Sequence, residues 1–352
     1  MKLSTIVVCS VALTAPSAAF TVQADEGSVT LYGQARVSVD VTDNDQGRIT
    51  NVSNGESRLG IKGTESLGSG LKAVFQFEVN ANVDDGAGTT GTFFGTARDS
   101  YVGLAGNFGT VALGILNTPY RESSDSIDVF NNSLGDYNSI IGEVGNKDTR
   151  AEFNRREPNT INYWSPKLSG FQFKGQYRVD ELASVDQDRY SVAGTYENGP
   201  WFGSLAYEKH LNETSTSTAD TDGIKVGVAY AFNEAKTRVG FVYEMLSQEG
   251  KGIFDRDAWY VSLSHKIGNN TFKAAYARAS DNDLIDDSGA NFFVLGLTHT
   301  LSKRTEVFGL YARTNNDTNG GYDIGNSTSG TTAAPFNGAT LSSFSVGMNH
   351  KF

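Results

Sequence analysis

The chain has 352 residues, 40 acidic against 29 basic, a formal net charge of −11 and a mean hydropathy of −0.33. No basic run exists, which argues against a nucleic-acid binder, and beyond the N-terminus no apolar stretch reaches the roughly 18 residues a membrane-spanning helix needs. Glycine is abundant (39) while proline is scarce (6), and 21 Phe with 15 Tyr favour strands over low-complexity disorder.

Taken in chain order, the first element is a secretory signal. Lys2 is the only charge in residues 1–24, an apolar segment runs from Ile6 to Leu13, and Val22-Gln23-Ala24 reads as a small-residue cleavage site. Residues 25–352 are the expected mature domain. Removing the leader takes Lys2 and Cys9, the single cysteine, leaving 28 basic against 40 acidic residues, net −12, and no thiol for a disulfide.

From Val29 onward the period is two. Val29, Leu31, Gly33, Ala35, Val37 and Val39 alternate with Thr30, Tyr32, Gln34, Arg36 and Ser38, and the same pattern returns in Leu71–Val79, Phe171–Tyr177, Ile224–Phe232 and Val239–Met245. Sixteen strands are expected, at 28–42, 57–65, 71–80, 98–105, 110–116, 159–164, 171–179, 189–197, 201–209, 223–232, 237–246, 258–267, 271–279, 291–301, 305–313 and 343–352. Seven short gaps alternate with eight long ones, 43–56, 81–97, 117–158, 180–188, 210–222, 247–257, 280–290 and 314–342. Such a meander has two ends that face different solvents. The prolines of the mature segment (119, 158, 166, 200 and 335) all fall outside the strands.

A soluble sandwich also alternates, so the polar face decides. It carries mid-strand charges at Arg36, Arg58, Lys62, Lys72, Arg98, Lys174, Arg178, Lys225, Arg238 and Lys273. Buried and unpaired, each would cost several kcal/mol; in a wide, water-filled lumen they stay hydrated. The reading is an all-β, 16-stranded, antiparallel, transmembrane up-and-down barrel with short periplasmic turns. Trp164 and Trp201 are placed at the short-turn rim and Trp259 at the other, as interface aromatics. The last strand ends on Phe352, a terminal aromatic of the kind the barrel-assembly machinery reads.

Catalysis finds no support in the pattern. His210 falls in a loop, while His265, His299 and His350 sit at one height on alternate strands, about 10 Å apart and too far for shared metal ligation. No HExxH or GxSxG occurs, and Asn315-Asn316-Asp317-Thr318-Asn319-Gly320 only approaches a calcium loop. No cofactor, catalytic residue or metal is expected.

Ser57-Arg58-Leu59-Gly60-Ile61-Lys62-Gly63, Arg98-Asp99-Ser100-Tyr101-Val102-Gly103-Leu104, Gly106-Asn107-Phe108-Gly109 and Asn159-Thr160-Ile161-Asn162-Tyr163-Trp164-Ser165-Pro166 together resemble a Gram-negative general porin. The resemblance implies an outer-membrane homotrimer that passes ions and small hydrophilic solutes, with a third external loop (117–158) folded into the lumen opposite an arginine ladder. Arg58 and Arg98 match ladder positions; Arg36, Lys62, Lys72, Lys174 and Arg178 complete the expected basic lining. Asp125, Asp128 and Asp136 are the expected constriction acids, followed by Glu122 and Glu143; Asp148 and Glu152 lie on the same loop. Where the family often has an arginine after Leu-Gly, this chain has Ile115, so Arg155 or Arg156 is a candidate third base. Net charge and the missing base lead to an expected mild cation preference. Lipid, and lipopolysaccharide bridged by divalent cations, are the expected surroundings. A barrel acting mainly as adhesin, phage receptor or anchor, or a substrate-specific channel, is the alternative, although most Phe and Tyr fall on the lipid-facing phase rather than along the lumen.

Overall fold

The computed structural model describes residues 20–24, 27–84, 93–144, 153–181, 187–212, 219–250, 255–325 and 336–352. Lys2, Cys9, most of the expected leader, Asp148 and Glu152 lie outside the described residues. The described strands are β1 (Phe20–Ala24), β2 (Gly27–Asp43), β3 (Arg48–Asn54), β4 (Arg58–Gly68), β5 (Leu71–Ala81), β6 (Phe94–Ala97), β7 (Ser100–Gly106), β8 (Gly109–Asn117), β9 (Arg156–Trp164) and β10 (Phe171–Arg178). They continue as β11 (Arg189–Asn198), β12 (Trp201–His210), β13 (Thr221–Phe232), β14 (Thr237–Gln248), β15 (Arg256–Ile267), β16 (Asn270–Ala279), β17 (Ala290–Thr300), β18 (Thr305–Asn316) and β19 (Thr340–Lys351).

All pairings are antiparallel between chain neighbours, and β19 closes on β2 from Ser342↔Asp43 to Lys351↔Gln34. β3 and β4 both pair with β2, and β6 and β7 both with β5, so each couple is one wall position interrupted by a break. With β1 lying against Gly27–Leu31, the wall has sixteen positions. A closed ladder leaves no edge unpaired, which is what lets a sheet stand in hydrocarbon. The expected long loop at 43–56 is shorter than the alternation suggested, because Arg48–Asn54 continues the wall as β3.

The two faces separate as the alternation requires. In β13, Ile224, Val226 and Val228 are exposed while Lys225, Gly227 and Ala229 between them are buried. Trp201 and Trp259 share the outward phase, but Trp164 does not. It stands in phase with Thr160 and Asn162 on the lumen side, its ring 5.4 Å from Tyr101. A tryptophan at a strand end belongs to a girdle only if its phase is outward, and the polar Asn162 two residues earlier sets the opposite phase. His210 likewise ends β12 rather than lying in a loop; it is buried, pairs with Glu208 at 2.9 Å and stacks on Phe153 at 4.4 Å.

Candidate functional site: a lumen divided by an in-folded loop

The segment joining β8 to β9 enters the barrel. Its first turn, α1 (Pro119–Glu122), is specified locally: the Thr118 hydroxyl accepts from Arg121 N at 3.1 Å, and Pro119 takes the first helical position, where no N–H is needed. Tyr120 N then donates to Ser191 Oγ at 2.9 Å, tying the loop to the wall.

Beyond α1 the loop lies along β13–β18. Ser262 Oγ donates to Ile127 O (2.7 Å), Tyr260 Oη to Asp128 Oδ1 (3.0 Å), and Gly142 N to Glu244 Oε1 (2.7 Å). Arg256 donates through Nε to Glu143 O (2.6 Å) and through Nη2 to Ile140 O (3.0 Å), while pairing with Glu244 at 3.1 Å. Between these bonds, Ile127, Phe130, Leu134, Tyr137, Ile140 and Ile141 form an apolar core with the lumen face of the wall, where Ala229, Ala258, Ala275, Ala277 and Ala290 leave room for them. A Cβ at Gly240 would stand 2.5 Å from Ile127, and one at Gly296 2.6 Å from Phe130, so glycine there is set by the loop's close approach. The segment after β18 adds a second layer: Tyr322 and Ile324 join the same core, and Gly325 N donates to Ser139 Oγ at 2.9 Å.

Polar groups face one another across the remaining space. Glu122 pairs with Lys174 at 2.7 Å, from loop to β10. Arg98 holds Glu78 (2.5 Å) and Glu56 (3.2 Å), with Arg58 at 3.9 Å from Glu78. Arg156 pairs with Asp99 at 2.7 Å. Glu157 gathers Arg178 (3.3 Å), Arg189 (2.5 Å) and Arg155 (3.6 Å). Arg36 lies 4.4 Å over the Phe308 ring and reaches Asn131 O at 3.5 Å, while Lys62 lies 5.0 Å over Tyr32. Lys72 is exposed on the lumen phase near the short-turn end.

The loop acids do different work from one another. Asp136, 1% exposed, accepts from Asn132 N (2.8 Å) and Asn138 N (2.9 Å) and caps a single 3-10 turn; Asp128 accepts from Phe130 N and Tyr137 N as well as Tyr260. Both carboxyls are held inside the loop. Burial pushes Asp128 up to about 6 and raises Asp136, Asp125 and Glu122, the last against the pull of Lys174. Glu143 lends its carbonyl to Arg256. Two mid-strand bases expected to be hydrated are not. Arg98 is enclosed by its carboxylates, and Lys225, fully buried under the loop, donates to Asn154 Oδ1 at 2.5 Å with its ammonium 4.2 Å from the Tyr120 ring. The in-folded loop, which period-two counting does not register, removed the water from Lys225, while Glu56 and Glu78 closed around Arg98.

Arg121 went unmarked in the sequence, although Thr118-Pro119 announced the helical turn that presents it. It makes no ion pair among the described residues, and Asp125 and Glu56 hold its proton more firmly than usual despite burial. Ile115 occupies the position after Leu-Gly beside a register shift, and Arg156 stands in the charged cluster instead. Of the calcium-like segment, Asp317 pairs with Arg278 at 2.8 Å, and Asn316 braces the loop through Tyr322 and Ala339.

A sixteen-position barrel with an apolar outer belt, a charged lumen and one loop folded across it is a passive channel of the outer membrane. The Gram-negative porin family model matches residues 7–319, and the chain belongs to that family. Outer membrane porin protein 32 of Delftia acidovorans is 30% identical over 303 residues, covering 82% of this chain and 84% of that one. The anion-selective porin from Comamonas acidovorans superposes with a TM-score of 0.80 at 26% identity, covering 93% of this chain and all of that one. OmpT of Vibrio cholerae in its trimer form shares the fold, with a TM-score of 0.66 at 18% identity over 93% of this chain and all of that one.

Proposed function

We propose that the protein is a general diffusion porin, a homotrimer whose lumen favours small anions. Solutes move down their gradients without bond-making. The pore wall and in-folded loop set the size limit, and fixed charges bias ion choice. The observation that carries the sign is which charges lack a counter-charge. Arg36, Lys62, Lys72, Arg121, Arg238 and Lys273 make no ion pair among the described residues, whereas Glu56, Glu78, Asp99, Glu122 and Glu157 each hold a base. Asp40, Asp128 and Asp136 are buried in hydrogen bonds, which leaves Asp125 and Glu306 as acids without an ion pair among the described residues.

The mild cation preference expected from the net charge finds no support in this arrangement. Much of the excess acid sits on the long-loop rim, as at Asp281, Asp283, Asp286 and Asp287, where salt screens it beyond about 8 Å. The name of the Comamonas relative agrees with the anionic sign. Planar-bilayer reversal potentials across a salt gradient test it: the sign for anion preference is expected, and the sign for cations overturns it. Arg121→Glu and Arg36→Glu should each move the potential toward cations. Sedimentation of the detergent-solubilised protein at one chain's mass would overturn the trimer.

A further inference from the structure

Among the described short turns, charge is unevenly placed. From β4 to β12 they carry one base, Lys167, already held by Glu197 at 3.2 Å. From β13 to β19 they carry Lys236, Lys303 and Arg304, with the exposed Glu234 (3.9 Å from Lys236) as the one acid in the same turns.

Three histidines share this rim and the outward phase. Nδ1 of His265, His299 and His350 is hydrogen-bonded across the sheet to Thr237 (2.7 Å), Asn270 (2.7 Å) and Thr305 (2.9 Å). Each Nε2 makes no bond to the described residues. Where a threonine hydroxyl donates to Nδ1, as at His265 and His350, Nε2 carries the proton and can donate to an anion, whereas His299 donates its Nδ1–H to Asn270 Oδ1.

Directly above lies a groove of about 490 Å³ in the lipid-facing wall, with Ala274 and Gly309 as its floor, Leu263, Tyr311 and Phe344 among its sides, and His265 at its edge. That volume is in the range of small-molecule sites. The glycine is not imposed by packing: a Cβ at Gly309 would meet nothing closer than Ser345 O at 3.9 Å. The small floor residue makes the groove.

We infer that this groove and rim form a site for one anionic phospholipid of the periplasmic leaflet. An acyl chain lies over Ala274 and Gly309, and the phosphate sits beside Lys303, Arg304 and His350, whose Nδ1 is bonded to the neighbouring Thr305; the other two histidines, about 10 Å apart along the rim, are out of its reach. A second copy of the chain would fill the apolar part but leave the bases unanswered; a phosphate answers both. Native mass spectrometry of the detergent-solubilised protein, titrated with phosphatidylglycerol and with phosphatidylcholine, is the test. Phosphatidylglycerol should be retained preferentially. Lys303→Gln with Arg304→Gln should weaken it about 25-fold, at about five-fold per base near the membrane surface. Gly309→Leu should abolish retention, with single-channel conductance unchanged in both variants. Undiminished phosphatidylglycerol binding by the turn variant, which alters the exposed Lys303 and the half-buried Arg304, overturns the site, as does equal binding of the two lipids. A disulfide between subunits in Gly309→Cys would seat a second copy on the groove and also overturn it.

Discussion

Two halves of one barrel obey the same alternation and end in opposite environments. Along β13–β18 the lumen-facing residues are mostly small or apolar, Gly227, Ala229, Gly240, Ala258, Ala277 and Phe292 among them, and the in-folded loop covers them as a dry interface. Along β2–β10 the same phase carries Arg36, Arg58, Lys62 and Lys174, and the chain leaves that side to water and ions. Phase says only inward or outward. Side-chain size and charge decide whether the inward face binds a loop or lines a passage.

Breaking the dry side has the largest expected effect. Arg256→Ala would leave Glu244 buried without its cation and strip donors from Ile140 O and Glu143 O. The loss of docking energy should be about 3–5 kcal/mol, seen as frequent current flicker and a lower temperature of unfolding. Quiet channels with unchanged melting would show that the loop is held elsewhere.

Gly240→Val comes next. Its side chain would overlap Ile127, and overpacking should cost about 1–3 kcal/mol. The loop should move toward the charged side and lower conductance; adding Ile127→Ala should restore much of it, and failure of that rescue would break the proposed contact.

Asp128 sharpens the comparison through pH. Burial holds its carboxyl near 6, above its ordinary range near 4. A raised carboxyl stabilises the docked loop fully below the ordinary value, and that contribution is lost as pH rises through about 6. Channel noise should therefore increase between pH 4 and 6.5, and Asp128→Asn should flatten the dependence. The smallest effect belongs to the exposed rim, where Lys167→Ala should change stability by less than about 0.5 kcal/mol in thermal melts.

Much of the wall was legible in the chain. Strand 71–80 is observed as Leu71–Ala81 and 237–246 as Thr237–Gln248, because a half-wet, half-lipid strand must alternate and a closed barrel admits no other pattern. The misplacement of Trp164 came from reading position along the strand without reading phase. The site was less legible: Glu122, Asp125, Asp128 and Asp136 look alike as acids on one loop, yet one bridges to Lys174 while Asp128 and Asp136 cap their own backbone. Loop backbone hydrogen bonds follow no period, so sequence spacing does not sort them.

By itself the sequence determined the class, the strand count and the outward face, since these follow from local alternation repeated sixteen times. The tertiary structure alone decided which wall receives the loop, that Lys225 and Arg98 leave the water, and that Arg121 enters the charged cluster. Those outcomes depend on residues from distant strands meeting across the lumen, where burial and pairing act on a charge only once its neighbours are in place.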